Sequence, residues 1–480
     1  MKHKVLMASL WSVFSRFGVF FIDFVIQILL ARILFPSDFG VIASLAILIS
    51  LGNQLSNFGL GQALIQNNRN TYLQECTIFY VNIIIGLTIG SLIYLFSSAI
   101  AGFYDNDILI DVTKIYSIYF IVNSFSLIQD SMLSKKLDFK SKFFVNIASV
   151  FISGVLAIIL SLNGFSYWAL VFQIIIKSII RTLLLWKICD WRPSLLFSFN
   201  SIRSLLRFGF NMVLSSIFTS FRINIFAILI GKSYNFSDLG FYNRANQLQN
   251  ITSKTFTTSL QNVLFPVFSQ LQDDIDLLKK GLKKSIKFLF FIITPLMVFF
   301  IVNAEDIIVV LLTDKWIESA KYLKTLSLLG IVYPLQMMNL NVLKAISLSK
   351  KFLYMTLLWN ILSISFAIMT SFYSIKIMIL GQVVVTLICY LINVLVNGKY
   401  YSYYLKEQLK DLMPLILINV AFYLVLNTVC NINLGFNLYF SMLINVMLSS
   451  LIYGLIVYLF YRPFFIELMN ELKVLIKKKN

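Results

Sequence analysis

Apolar residues run along this 480-residue chain in long stretches that short polar segments interrupt. A helix of about 20 apolar residues is long enough to cross the hydrocarbon core of a bilayer. The gaps between stretches hold at most about twenty residues, which is too few for a folded soluble domain. The sequence therefore predicts an all-α polytopic membrane protein with about 14 transmembrane helices. The predicted spans lie near 11–33, 40–64, 76–96, 112–132, 143–162, 167–188, 208–230, 242–269, 285–302, 322–343, 352–373, 377–396, 413–430 and 436–461.

Basic residues follow the same alternation. Of the 40 Lys and Arg residues, 27 fall at the termini and in alternate gaps, seven fall in the other gaps, and six lie within spans. Short cytoplasmic loops carry an excess of Lys and Arg. We therefore expect both termini to be cytoplasmic and the protein to lie in the bacterial cytoplasmic (inner) membrane. The formal net charge of +19 then faces anionic membrane lipids, and we expect no nucleic-acid partner.

Two pairs of short segments recur about two hundred residues apart. Arg16-Phe17-Gly18 recurs as Arg207-Phe208-Gly209, and Ser37-Asp38-Phe39-Gly40 recurs as Ser237-Asp238-Leu239-Gly240. Each set flanks the first helix of a group of six, so we interpret them as traces of a duplicated six-helix unit. Because six is even, both halves would have the same orientation. The alternative is that both tetrapeptides are ordinary Asx-type turns between helices.

The duplication predicts two pseudosymmetric six-helix lobes followed by two appended helices. Two polar segments, 199–207 and 271–287, have apolar residues at helical spacing, so we expect them to be helices on the membrane surface. The predicted regions are an N-lobe at 1–197 with spans 1 to 6, a C-lobe at 198–411 with spans 7 to 12, spans 13 and 14 at 412–462, and a basic amphipathic cytoplasmic tail at 463–480.

Composition excludes most other classes of protein. Hydrophobic residues make up 59% of the chain and charged residues 13%, which is not normal for a soluble protein of this length. Cys76, Cys189, Cys389 and Cys430 share no close spacing, and the sole histidine is His3. We therefore expect no metal site, no cofactor, no disulfide framework and no catalytic residues.

Ionisable residues within the spans are the main functional signal. A charge at the bilayer centre costs about 2.5–3.5 kcal/mol on insertion scales, yet spans 1, 6, 7 and 8 hold six basic residues and one acid. In span 1, Arg16, Asp23 and Gln27 share one helical face. Span 8 is rich in hydroxyl and amide side chains, and so polar a helix cannot face lipid over most of its surface.

These polar faces predict a water-filled cavity between the two halves. A cationic cavity suits an anionic head group such as diphosphate, because Arg and Lys bind phosphate oxygens well. Walls rich in hydroxyl and amide groups suit sugars. The candidate substrate-binding residues are Arg16, Gln27, Asn53, Asn57, Lys177, Arg222, Arg244, Gln247, Lys254 and Thr258.

Asp23 has two interpretations. A carboxylate at this depth could bind a proton or a sodium ion, which makes Asp23 the candidate for ion coupling. Alternatively, Asp23 forms a structural ion pair with Arg16, Lys177 or Lys254. For Arg181, which shares span 6 with Lys177, we favour a side chain that snorkels to the cytoplasmic surface over one that binds a ligand.

Several segments carry a family resemblance: Leu30-Ala31-Arg32-Ile33-Leu34 with Asp38-Phe39-Gly40, Leu239-Gly240-Phe241-Tyr242-Asn243-Arg244-Ala245, Val263-Leu264-Phe265-Pro266 with Ser269, and Lys315-Trp316. With them the chain resembles the polysaccharide and O-antigen flippases of the multidrug/oligosaccharidyl-lipid/polysaccharide exporter superfamily, in the branch of lipopolysaccharide-biosynthesis and colanic-acid exporters. Many members carry an acid shortly before the Ile230-Gly231 position, where this chain has Phe226, so cation coupling at that place is not expected.

The resemblance implies a function that the residue pattern alone does not reach. It implies two pseudosymmetric lobes that alternate in access and flip an undecaprenyl-diphosphate-linked oligosaccharide from the inner to the outer leaflet. A polysaccharide polymerase and assembly proteins are the implied candidate partners. Two alternatives stay open: a multidrug cation antiporter of the same superfamily, and an O-antigen polymerase or ligase. The positive cavity argues against the first, and the short outer gaps argue against the second.

Overall fold

In the computed structural model, the described residues are 2–57, 60–66, 70–199, 217, 219–430 and 437–460. Across these ranges the backbone is helical apart from short turns and an irregular segment at 189–198, and these ranges contain no strand. Eleven helical stretches within them are long and apolar enough to cross a membrane. The chain is thus an all-α, multi-pass membrane protein, as predicted, while the total of fourteen spans stays a prediction.

By packing, the chain divides into two compact units, unit 1 (Met1–Gly240) and unit 2 (Phe241–Asn480). This division concerns packing, and the duplication with its lobe boundary at 197/198 stays a prediction. The helices of unit 1 are α1 Lys2–Ile33, α2 Pro36–Ser44, α3 Ala46–Asn57, α4 Leu60–Gln66, α5 Tyr72–Leu95, α6 Ser97–Tyr104, α7 Ile108–Ser124, α8 Leu127–Lys135, α9 Phe139–Leu162, α10 Tyr167–Ile188 and α11 at 219–233.

Helix α12, Phe236–Gln270, begins in unit 1 and continues into unit 2. The further helices of unit 2 are α13 Ile275–Val302, α14 Ala304–Leu312, α15 Glu318–Ala345, α16 Ser349–Ser371, α17 Ile375–Asn397, α18 Leu405–Cys430 and α19 Leu438–Phe460. Two short 3₁₀ turns, Asp314–Trp316 and Gly398–Tyr400, join neighbouring helices.

Three predicted spans are not among the eleven stretches. Spans 1 and 8 correspond to the long helices α1 and α12. Helix α12 contains many polar residues, so it does not count among the apolar stretches. Span 7 begins outside the described residues and continues in α11. Also outside them lie Arg207-Phe208-Gly209, nearly all of 199–207 and the tail at 463–480.

Small residues let helices of unit 1 pack closely. Gly86 and Gly90 are one turn apart on α5, and a Cβ atom at Gly86 would lie 2.5 Å from the Ser124 Cβ of α7. A Cβ atom at Gly90 would lie 3.1 Å from the Ser117 carbonyl oxygen of the same helix. Pairs of small residues one turn apart are typical of close helix crossings in membranes. The α5–α7 pair is therefore a close crossing that glycine permits.

The repeated tetrapeptides contact each other, at a place we call the α2–α12 crossing. A Cβ atom at Gly40 would lie 1.8 Å from the Phe236 carbonyl oxygen, at the start of α12. A Cβ atom at Gly240 would lie 2.0 Å from the Pro36 carbonyl oxygen, at the start of α2. Each glycine therefore accommodates the backbone that precedes the other tetrapeptide.

Local hydrogen bonding explains the aspartate of the first tetrapeptide but not its glycine. The Asp38 carboxylate accepts a hydrogen bond from the Phe35 backbone N–H at 2.9 Å and another from the Ser166 hydroxyl. Such a side chain caps the start of a helix. This bond runs from the third helical residue back to the residue before the helix, so Asp38 caps α2 and does not form an Asx turn, whereas Gly40 is required by the crossing.

Contacts between α6 and its neighbours surround the α2–α12 crossing. The buried Tyr104 hydroxyl donates to the Ser44 carbonyl oxygen at 3.0 Å, and burial raises the pKa of Tyr104 to about 12. Lys232, at the end of α11, lies 2.5 Å from the Asp105 carboxylate. Tyr104 therefore stays a neutral hydrogen-bond donor at any physiological pH, and α11 is tied to the end of α6.

The sequence predicted a surface helix at 271–287, but the structure has no separate helix there. Helix α13 runs without interruption from Ile275 through Val302. Its lysines contact the start of α18: Lys279 lies 2.7 Å from Glu407, and Lys283 lies 2.7 Å from Asp411. The apolar side of this segment packs in the core of unit 2, where Leu278, Leu282 and Ile286 are fully buried. Burial against protein, which the periodic pattern cannot distinguish from burial in lipid, explains the difference.

Candidate functional site

Helix α10 carries three long polar side chains on one face. Gln173, Lys177 and Arg181 are spaced four residues apart, so they stand one above the other along the helix. Gln173 is buried, and the other two are half-buried. Since α10 is long and apolar enough to cross the membrane, this stripe places two cationic groups within a membrane helix.

The first two side chains of the stripe face α1. The Gln27 amide donates to the Gln173 Oε1 at 3.3 Å. One turn further, the Lys177 Nζ lies 4.0 Å from the Asp23 carboxylate, and both side chains are about two-fifths exposed (41% and 38%). The separation is at the limit for an ion pair and both groups are open to solvent, so we regard the contact as weak. The sequence offered Arg16, Lys177 and Lys254 as partners of Asp23, and the structure shows a contact with Lys177.

The third side chain of the stripe faces a carboxylate that the sequence analysis did not select. The Arg181 Nη2 lies 2.6 Å from Asp130 Oδ1, and the Lys142 Nζ lies 2.9 Å from Asp130 Oδ2. The Arg181 Nε also donates to the Asn146 amide oxygen at 3.3 Å. Arg181 therefore has protein partners that the snorkelling prediction did not include.

A break between two helices brings Asp130 to this position. Helix α7 ends at Ser124 and α8 begins at Leu127. At the junction the Ser126 hydroxyl donates to the Asn123 carbonyl oxygen at 2.9 Å, and such a local bond competes with the helical pattern. The predicted span 4 is thus two helices, and the second carries Asp130.

The start of α9 positions Lys142. The Asp138 carboxylate caps the helix by accepting from the Ser141 backbone N–H at 3.1 Å, which places Lys142 in the first helical turn. A cation there is disfavoured by the positive N-terminal end of the helix dipole. The ammonium is instead stabilised by Asp130 and by the Ser134 hydroxyl at 2.8 Å.

Helix α3 joins the same polar region through a tyrosine. The Tyr119 hydroxyl of α7 donates to the Asn53 amide oxygen at 3.0 Å, and α7 packs against α10. Asn53, one of the predicted cavity residues, is therefore bonded to α7, a helix that packs against α10. We call the set Asp23, Gln27, Asn53, Tyr119, Asp130, Lys142, Gln173, Lys177 and Arg181 the unit 1 polar site.

The unit 1 polar site has an excess of positive charge. Its bases are Lys142, Lys177 and Arg181, and its acids are Asp23 and Asp130, so one positive charge is not balanced within the set. The five charged side chains are between 17% and 41% exposed, so a ligand can reach them. Arg and Lys side chains form strong, charge-assisted hydrogen bonds to phosphate oxygens. The arrangement can therefore hold an anion.

The predicted stripe on α12 divides between buried and exposed side chains. Arg244 is buried, and its Nη1 donates to the Gln247 Oε1 at 2.6 Å. Lys254 is exposed and Thr258 is half-buried. The Ser253 hydroxyl donates to the Gly330 carbonyl oxygen of α15 at 2.8 Å. Much of the polarity of α12 thus serves its packing in unit 2.

The predicted cavity residues fall in both units. Gln27, Asn53, Lys177 and Asp23 belong to the unit 1 polar site. Gln247 and Thr258 lie in unit 2 with Arg244 and Lys254, and Arg222 is half-buried in α11. The side chains of Arg16 and Asn57 lie outside the described part of the chain. That all ten line one cavity stays a prediction.

Asp130, Lys142 and Tyr119 were missed by reasoning from sequence. Asp130 lies two residues before the end of predicted span 4, and Lys142 lies in the gap that follows, so neither was selected as a charge within the membrane. The signal that could have found Asp130 is its place among the serines at the α7–α8 break. In the described ranges no three His, Cys, Asp or Glu side chains come together that could hold a metal ion.

Comparisons with known proteins agree with this architecture. A family model described as "Polysaccharide biosynthesis protein" matches residues 29–321. The succinoglycan biosynthesis transport protein ExoT of Rhizobium meliloti (strain 1021) is 26% identical over 325 residues, which cover 68% of this chain and 66% of that protein. The teichuronic acid biosynthesis protein TuaB of Bacillus subtilis (strain 168) is 27% identical over 292 residues, 60% of each chain. The matches thus span about two thirds or less of these relatives.

Among solved structures, the chain is similar in fold to one titled "Lipid II flippase MurJ, inward closed conformation". The similarity has a TM-score of 0.74 and covers 96% of this chain and all of that one, at 16% identity. At this level of identity the likeness concerns the fold alone. It agrees with a polytopic helical fold over nearly the whole chain.

Proposed function

Because the chain belongs to the polysaccharide biosynthesis protein family, we propose that it is a flippase for lipid-linked oligosaccharides. Its substrate is a repeat unit of a surface polysaccharide joined through diphosphate to undecaprenol, as in O-antigen, capsule or exopolysaccharide synthesis. The protein moves the head group from the inner to the outer leaflet by alternating access. A polymerase and assembly proteins that use the flipped unit are the proposed partners.

The observation that supports this proposal most is the excess positive charge of the unit 1 polar site, to which Lys177 and Arg181 of the α10 stripe and Lys142 of α9 contribute. Lys177 and Arg181 are about 6 Å apart along the helix axis, because each residue of an α-helix rises about 1.5 Å. A diphosphate can therefore bridge them or move from one to the other. A multidrug cation antiporter would instead need a net negative site, and the unit 1 polar site has the opposite sign.

Amide and hydroxyl groups next to these bases suit the sugar part of such a substrate. Gln27 and Gln173 bond to each other one turn from the Asp23–Lys177 contact, and Asn53 accepts a hydrogen bond from Tyr119 of α7. Sugars are recognised by donors and acceptors of this kind. The site thus offers cations for the diphosphate and neutral polar groups for the oligosaccharide.

Transport in proteoliposomes tests the proposal directly. The purified protein should equilibrate a fluorescent undecaprenyl-diphosphate-linked oligosaccharide between leaflets, measured by an impermeant quencher. The same vesicles should not accumulate lipophilic cationic dyes against a proton or sodium gradient. Vesicles that antiport the dyes but leave the lipid-linked sugar in its original leaflet would contradict the proposal.

The orientation in the inner membrane gives a separate prediction. In a variant without the four native cysteines, single cysteines at the exposed positions Asp107 and Asp314 should react with an impermeant thiol reagent in intact cells. Cysteines at Lys136 and Lys280, which are also exposed, should react only after the membrane is permeabilised. These expectations follow from the distribution of basic residues. Labelling of Lys136→Cys from outside would refute the orientation.

A further inference from the structure

The carboxylate of Asp130 occupies the place where two bases converge. Arg181 approaches one carboxylate oxygen at 2.6 Å and Lys142 approaches the other at 2.9 Å, from different helices. The three side chains are 25%, 17% and 27% exposed in the order Arg181, Lys142, Asp130, so the cluster is open on one side. Proteins also bind phosphate groups in this way, with two donors that each approach a different oxygen of the same anion.

We propose that Arg181 and Lys142 form a diphosphate-binding site and that Asp130 is its internal counter-anion, which the ligand displaces. The inference rests on the proposed function and adds a site to it. No other role was assigned to Lys142 or Asp130 by the sequence. In the proposed orientation this site lies toward the cytoplasmic end of unit 1, where the substrate is made.

Charge and helix geometry support displacement. A diphosphate carries more negative charge than one carboxylate, so it competes for the same two bases with a larger Coulomb attraction. Lys142 stands in the first turn of α9, where the helix dipole disfavours a cation and a more negative ligand gains most. When the ligand leaves, the carboxylate restores the pairing, so neither base is left uncompensated in the membrane protein.

The site also continues into the rest of the unit 1 polar site. Lys177 stands one turn from Arg181 on the same face of α10, about 6 Å along the axis. Its own carboxylate partner, Asp23, lies at 4.0 Å, further than either pairing of Asp130. A diphosphate that leaves Arg181 therefore meets a less tightly paired cation next. Arg181 and Lys142 would receive the head group, and Lys177 would hold it deeper in the membrane.

Pyrophosphate binding to the purified full-length protein tests this inference. We expect Asp130→Asn to bind inorganic pyrophosphate about tenfold more tightly than the native protein, because a competing anion is removed. Arg181→Gln and Lys142→Gln should each weaken binding about tenfold or more. Farnesyl diphosphate should compete for the same site and bind more tightly than pyrophosphate, which would identify a lipid-linked ligand. Equal affinities would identify a site for free diphosphate and overturn that part of the proposal.

Unit 2 provides a matched control. Asp411 also lies between two lysines, at 2.7 Å from Lys283 and 3.3 Å from Lys287, and it accepts a hydrogen bond from the Tyr403 hydroxyl. This carboxylate is more buried, at 14% exposed, and we assign no ligand to it. Asp411→Asn should therefore leave pyrophosphate affinity unchanged. A comparable rise in affinity in both Asp→Asn variants would show a general charge effect and overturn the inference.

A structural salt bridge predicts a different outcome. In that case Asp130→Asn lowers the melting temperature and leaves pyrophosphate affinity unchanged or weaker. If Asp130→Asn does not yield folded protein, Lys142→Gln decides, because it retains the Arg181–Asp130 pair: unchanged affinity would overturn the proposal. Pyrophosphate binding without flipping of the lipid-linked sugar would count against the proposed function alone. Flipping with unaltered affinity in Asp130→Asn would count against this site alone.

Discussion

Alanine at Gly40 or at Gly240 is expected to lower the free energy of unfolding by about 1–3 kcal/mol or more, the range for overpacked sites. The added Cβ atom would lie 1.8 Å from the Phe236 carbonyl oxygen in one variant and 2.0 Å from the Pro36 carbonyl oxygen in the other. Both obstacles are backbone atoms, so no change of rotamer relieves them. Melting temperature in detergent and the folded fraction after purification measure the effect.

The sign of this effect distinguishes packing from helix propensity. Glycine to alanine within a helix ordinarily stabilises it by up to about 1 kcal/mol. Gly454, within α19, has nothing within 4 Å of an added Cβ atom, so Gly454→Ala should be neutral or stabilising. If Gly40→Ala and Gly240→Ala behave like this control, the α2–α12 crossing is not as close as described.

The double variant Gly40→Ala, Gly240→Ala makes the test sharper. Both added methyl groups would push the same two backbones apart, so the separation that relieves one clash also relieves the other. We therefore expect the double variant to cost clearly less than the sum of the two single variants, since neighbouring sites are not additive. Additive costs would mean that the two glycines act in separate contacts.

Lys177→Gln is expected to reduce flipping of the lipid-linked oligosaccharide by more than tenfold while the protein remains abundant and folded. The Lys177 side chain is 41% exposed and its contact with Asp23 is long, so its removal should cost little stability. What it removes is a cation within reach of a diphosphate. Initial rates in proteoliposomes, normalised to folded protein, measure the loss.

Lys324 is a suitable control because its side chain has the same exposure, 41%, and lies 2.8 Å from Glu305. Lys324→Gln should leave the flipping rate unchanged. The double variant Asp23→Asn, Lys177→Gln separates substrate binding by Lys177 from a purely structural pairing with Asp23. It recovers flipping if the pair is only a structural bridge, whereas it stays as defective as Lys177→Gln if the lysine binds substrate.

Asp23→Asn alone tests ion coupling. If Asp23 binds a proton or a sodium ion during transport, the variant should keep some flipping that no longer responds to an imposed gradient of either ion. A variant with the native response to both gradients would exclude this role. Because Lys177 contacts Asp23, the variant also shows whether loss of the acid changes substrate affinity, which a merely structural acid would not do.

Helix type and membrane class followed from sequence because they depend on composition summed over about twenty residues. Helix α12 shows where this reasoning stops. Its polar residues predicted an aqueous wall, yet Arg244 is buried and Ser253 bonds to the backbone of α15. A polar side chain avoids contact with lipid either by facing water or by bonding to a neighbouring helix. Periodicity does not distinguish the two outcomes.

The site was harder to predict than the fold because its members come from several helices. Lys177 and Asp23 were selected as candidate site residues because a charge within a membrane span is energetically unfavourable, and this can be recognised without knowing its partner. Asp130 and Lys142 were not, because each lies near a span end where a charge needs no explanation. Their significance depends on the break between Ser124 and Leu127. At that break the Ser126 hydroxyl bonds to the Asn123 carbonyl oxygen, and a single serine leaves no distinct mark on the hydrophobic pattern.

The α2–α12 crossing also bears on how the two tetrapeptides evolve. If one ancestral segment gave rise to both, the two copies now contact each other. A change in either copy must then remain compatible with the other copy. Gly40 and Gly240 would then be retained together, or replaced together when the two backbones move apart. Diverged relatives should accordingly show correlated substitutions at these two positions, two hundred residues apart in sequence. Physical contact between the copies would thus have preserved the likeness that the rest of the two halves has lost.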